Sequence, residues 1–176
     1  MKLLKYALLI LVLGLFNLNA NAQNDQSVSA HAHVYSQITY NTVTNVDFAG
    51  VQAISTAPTL DPKNTGNNQN VGASATTGKL AINAETNQTI NITFPTSVLL
   101  TGPGTDITYS LDVYGNTTDD ASGSSSISSG ATPTTASSAD GSNNVYYIYI
   151  GGNLGDLSGQ TVGDYNGSVT FSIAYP

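Results

Sequence analysis

The chain has 176 residues with four lysines, no arginine and eleven acidic residues, a formal charge of −7. Nucleic-acid binding depends on Lys and Arg neutralising phosphates, and attraction to anionic membranes needs the same residues, so no nucleic acid is expected as a partner and an acidic lipid surface is disfavoured. There is no cysteine, which rules out disulfides and leaves stability to packing and strand pairing.

Lys2 and Lys5, the apolar run from Ala7 to Phe16 and the triplet Ala20-Asn21-Ala22 have the order of a secretory leader: charge, apolar core, small-x-small cleavage pattern. The run falls short of the ~20 apolar residues that span a bilayer. Residues 1–22 are therefore expected to be a cleaved signal peptide. The product would pass through the periplasm to the cell surface or medium, with no membrane insertion afterwards. What remains is 154 residues with two lysines against eleven acidic residues, a charge of −9. That length suits one domain with a proper core.

Beyond the leader no helical period is sustained, while period two recurs. The first alternating run is Val28-Ala30-Ala32-Val34, in a segment spanning 23–35 that precedes the domain proper, 36–176. His31 and His33 fall on its opposite face. Two histidines two apart could share a metal, but no further ligand is placed by the sequence, so no metal is expected. Short strand candidates follow at Gln37–Asn41 and Asn45–Phe48. Pro58, Asp61-Pro62 and Asn64–Asn70 then read as turns.

Leu80-Ile82-Ala84, Ile90-Ile92-Phe94 and Ile107-Tyr109-Leu111-Val113 alternate cleanly, separated by Pro95 and Gly102-Pro103-Gly104. Residues 121–143 are almost purely small and polar and are expected to form a low-complexity surface loop, with a short strand near Ser126–Ser128. Val145–Ile150, VYYIYI, is apolar on both faces, as a strand covered on both sides would be. The chain closes on Val169, Phe171, Ile173 and Tyr175 at alternate positions. Seven or eight short strands with this punctuation predict an all-β, immunoglobulin-like sandwich.

Catalytic constellations are absent from the pattern. An enzyme needs a nucleophile with its base, or paired carboxylates, and the only histidines are His31 and His33. Asp119-Asp120 and Asp140-Gly141-Ser142-Asn143 offer hard oxygens but not the spacing of a calcium loop. Ten tyrosines without a tryptophan leave a glycan platform as a minor reading. Asn87, Asn91, Asn116 and Asn166 each begin an Asn-x-Ser/Thr triplet. No catalytic residue, cofactor or metal is expected.

The two ends of the exported chain carry a resemblance. VSAHAHVYSQITYNTVTNVDFAGV, 28–51, with its Val46-Asp47-Phe48-Ala49-Gly50 turn, and YIGGNLGDLSGQTVGDYNGSVTFSIAYP, 149–176, with Gly151-Gly152-x-Leu154 and Gly163-x-Tyr165-x-Gly167, resemble Domain of Unknown Function family 4402, a bacterial secreted family. That family is similar to spore-coat-U-like and chaperone–usher fimbrial subunits, whose terminal strand carries a penultimate aromatic and a glycine fourteenth from the end. Tyr175 and Gly163 match those positions; the cysteine pair of many such subunits is missing here.

The resemblance implies an incomplete sandwich completed by a donor strand. Its assembly and chaperone-recognition strand would be Gly163, Val169, Phe171, Ile173 and Tyr175, and its donor Val28, Ala30, Ala32 and Val34. The partners would be further copies of the chain or other fimbria-like subunits, with a periplasmic chaperone capping the groove beforehand. From pattern alone, 28–34 serves equally as the first strand of a complete sandwich. The competing function is a monomeric extracellular adhesin or glycan-binding module presenting 121–143.

Overall fold

The computed structural model describes residues 27–135 and 145–176. The chain divides at the Val34–Tyr35 bond into two units, and the second, Tyr35–Pro176, holds every strand among the described residues. These are β1 (Thr39–Thr44), β2 (Thr59–Leu60), β3 (Gly78–Asn83), β4 (Asn91–Thr93), β5 (Ser97–Leu100), β6 (Ile107–Asn116), β7 (Ser125–Ser126), β8 (Val145–Asn153) and β9 (Ser172–Ala174). A short 3-10 turn at Thr65–Asn67 is the one helical element described; Asn64 caps it by accepting from the Gly66 N–H.

All pairings are antiparallel. One sheet runs β1-β3-β8-β6-β5, with β2 beside β8 and β7 beside β6; β4 and β9 form the second layer. Neither sheet closes on itself, so the fold is an all-β sandwich with open edges. Alternation explains the layers. Leu80 and Ile82 of β3, Val113 of β6 and Ile148 and Ile150 of β8 face Ile90 and Ile92 across the interior. β8 is buried on both faces, as VYYIYI predicts. A second cluster gathers Phe48, Leu60, Ile107, Tyr109, Leu154 and Leu157 at one end of the sandwich. Here the phenol of Tyr109 donates to the Gly151 carbonyl at 2.7 Å, and burial pushes its pKa up.

The segment 121–135 carries a short strand, β7, beside the one expected near Ser126–Ser128, and beyond it is more ordered than the expected surface loop. Tyr114 and Gly115 pair with Ser126 and Ser125, and the Ile127 N–H reaches the Val113 carbonyl at 2.9 Å. The chain then crosses to the second layer, where Ala131 bridges Ile92 and Thr134 bridges Thr89. Ile127 packs against the core and Thr135 is fully buried. Small polar residues can do this because main-chain bonds need no apolar side chain. Residues 136–143 of the expected loop lie outside the described residues.

Candidate functional site

The terminal segment pairs antiparallel with the run from β4 to β5 near its two ends. Asn91, Ile92 and Thr93 pair with Ala174, Ile173 and Ser172, and Thr101 pairs with Asn166. Val169, Phe171, Ile173 and Tyr175 are half-buried, whereas Ser168, Thr170, Ser172 and Ala174 are exposed. The apolar series therefore points inward as the alternation predicts, with Phe171 against Phe94 at 5.1 Å between ring centroids. Gly163 begins this run at φ +153°, and a Cβ there would come within 2.5 Å of Pro103 Cγ. Both conditions call for glycine.

The strand ends at an aromatic clasp. The Tyr175 hydroxyl donates to the Ser36 carbonyl at 2.9 Å and accepts from the Glu85 N–H at 2.8 Å. The Ser36 N–H donates to Glu85 Oε2 at 2.9 Å, and the ring of Tyr175 stacks on Tyr35 at 4.4 Å. The last residues of the second layer thus meet the residues that lead into β1.

Beyond the clasp the two layers part. Among the described residues β9 pairs with β4 alone and β1 with β3 alone, so each has an open edge. Tyr40 lies opposite Ile82 and Val43 opposite Leu80; directly paired residues share a face, so both belong to the core-facing side. Yet Tyr40 is 49% and Val43 67% exposed, against 0% for Ile82 and 8% for Leu80. The second layer stops short of β1 and leaves its inner face bare.

Sequence reasoning did not find Tyr40 and Val43. A bulge between Tyr40 and Thr42 inserts one residue, which puts residues three apart on one face and erases the period-two signature. Tyr35, Ser36 and Glu85 were also missed, since their roles depend on a contact with the far end of the chain.

Residues 27–34 contain no strand, and every position is exposed, Val28 at 89% and Val34 at 87%. Ala30, Ala32, His31 and His33 share that exposure. Elsewhere several ionisable groups are engaged in structure. Asp119 accepts from Lys79 Nζ at 2.6 Å and from the Tyr149 hydroxyl at 2.9 Å, and the Lys79 ammonium holds its carboxyl below the usual range. The Asp120 carboxylate accepts from Ser122; Asp140 lies outside the described residues.

Among the described residues no three His, Cys, Asp or Glu side chains gather as a metal site would require. An open cleft of about 310 Å³ between β6 and the chain after β8 is lined by Asp106, Thr108, Ser110, Asp156 and Gln160, without a histidine or lysine to activate the serine. No helix among the described residues is long and apolar enough to cross a membrane.

In comparison with known proteins, a family model described as Domain of unknown function (DUF4402) matches residues 36–175. No curated protein and no solved structure matches the chain.

Proposed function

The chain belongs to the DUF4402 family over residues 36–175, a span that leaves 23–35 outside the family domain, and from that premise we propose that it is a secreted structural subunit of a fimbria-like or coat-like surface assembly. In this reading the sandwich is immunoglobulin-like and incomplete. The segment 23–35 of one copy adds a strand to the open side of the next, between β9 and β1. A periplasmic chaperone would occupy the same place before assembly, through the terminal strand from Gly163 to Tyr175.

The observation that carries the reading is the bare inner face of β1, where Tyr40 and Val43 stay exposed beside core residues. Uncovered apolar positions beside an unpaired strand edge favour pairing with another chain. An incoming strand gains main-chain bonds along the edge and pockets for alternate side chains. Val28, Ala30, Ala32 and Val34 supply that alternation and are exposed. Full burial of the two valines contributes at most about 3–6 kcal/mol. The contact is head-to-tail and propagates into a fibre.

The test is deletion of residues 23–34, which spares Tyr35 and its stack. The expected outcome is a folded protein that forms no filaments by electron microscopy and accepts a synthetic 23–35 peptide with a rise in melting temperature. A truncated protein that polymerises like the parent overturns the donor role of 23–35, and a parent that stays monomeric at high concentration overturns the assembly reading in favour of a monomeric binding module.

A further inference from the structure

We propose that Tyr35 and Tyr175 form an oxidative cross-linking site at which the two phenol rings couple into a dityrosine. Their rings stack with centroids 4.4 Å apart and planes 17° from parallel. The pair is held from both sides. Tyr175 is fixed through its hydroxyl to Glu85 and Ser36, and the residue after Tyr35 is fixed through its own N–H to the Glu85 carboxylate. Holding two reacting groups in contact removes most of the entropic barrier to joining them.

Three further features favour this pair. Tyr35 is 40% exposed and open to an oxidant, whereas Tyr109, Tyr146 and Tyr149 are buried. Neither Tyr35 nor Tyr175 lies inside a strand, so the backbone can yield as the rings turn to present carbons ortho to their hydroxyls. Among the described residues this is also the one tyrosine–tyrosine ring contact. A bond between positions 35 and 175 spans the whole domain, and a staple that closes a long loop constrains the unfolded chain most. The protein has no cysteine to supply one.

The chemistry needs a one-electron oxidant of the peroxide class, delivered by a haem peroxidase. Each phenol loses one electron and one proton to become a phenoxyl radical. The two radicals join through a carbon–carbon bond between ortho positions, and the hydrogens on those carbons move to the oxygens as the rings regain aromaticity. One hydrogen peroxide is reduced to two waters, so the protein loses two hydrogen atoms in all.

The purified protein is treated with hydrogen peroxide and peroxidase, then followed by dityrosine fluorescence, gel mobility and peptide mapping. The expected product keeps the size of a single chain, has lost two hydrogens, and maps to a peptide joining Tyr35 to Tyr175. Tyr35→Phe, which keeps the stack but cannot form the phenoxyl radical, abolishes it; Tyr175→Phe does the same. Fluorescence that survives in Tyr35→Phe, cross-links formed only between chains, or an unreacted pair overturns the proposal. The site does not depend on the assembly reading: a truncation of 23–34 leaves both tyrosines in place.

Discussion

Gly163 and the Lys79–Asp119 pair show what single residues contribute here. At φ +153° with Pro103 against it, Gly163 is the one residue type that begins the terminal strand without strain. Gly163→Ala is expected to cost about 1–3 kcal/mol, read as a lower urea midpoint with unchanged slope. Asp119 is held below its ordinary value chiefly by the hydrogen bond from Lys79, against an upward push from burial, with a further lowering by the hydrogen bond from Tyr149. A depressed folded-state value means that its contribution is complete above the ordinary carboxylate range and is lost as pH falls through the lower folded value. Both side chains are partly exposed, at 27% and 53%, so solvent screening limits the pair to under about 1 kcal/mol. Lys79→Met is expected to lower stability by under about 1 kcal/mol near neutrality and to leave it nearly unchanged in acid, where Asp119 is protonated in both proteins, so that the acid side of the stability–pH curve flattens, as urea titrations at a series of pH values would measure.

At the scale of elements, the segment after β7 joins the two layers, and Thr135 is its anchor. Its hydroxyl lies within hydrogen-bond reach of the Glu85 and Gln88 carbonyls and of the Gln88 N–H, at a position with no solvent exposure. Thr135→Val keeps the shape but strands these groups, a loss of about 1–3 kcal/mol. Chemical denaturation measures it, and a neutral result would mean that the segment merely lies on the surface.

This segment also marks where sequence reading fails. β3, β4, β6, β8 and the inward series of the terminal strand were legible, since apolar alternation is imposed by a buried face. Residues 131–135 were not, because pairing through the main chain leaves no trace in composition, whereas β7 falls beside the short strand expected near Ser126–Ser128, where Ile127 was the signal. β5 was missed because Val98 and Leu100 face the core while Leu99 is exposed, which turns alternation into an unbroken apolar run. The run Val28 to Val34 is a reminder of the converse, since it alternates well yet forms no strand in the isolated chain.

For the whole molecule, charge and the open side of the sandwich act against each other. Lys63 and Lys79 are the only lysines beyond residues 1–22, the proposed signal peptide. Both are engaged locally: Lys79 with Asp119, and Lys63 with the Ser124 carbonyl and the Tyr114 ring. In the proposed assembly, copies without residues 1–22 would carry −9 each and repel one another, while the apolar edge would draw them together over a few ångströms. Repulsion between exposed charges reaches about 30 Å at 0.01 M salt but only about 8 Å at 0.15 M, whereas burial of Val28 and Val34 is not screened. Assembly of the proposed fibre is therefore expected to speed up as salt rises from 0.01 to 0.15 M, with light scattering as the readout. Val34→Asp is expected to slow it at every salt concentration, by adding charge and by removing a buried side chain. A rate that falls with added salt would mean that attraction between opposite charges drives the contact, which an almost uniformly acidic chain cannot provide to itself, and would point to a cationic partner in place of a second copy.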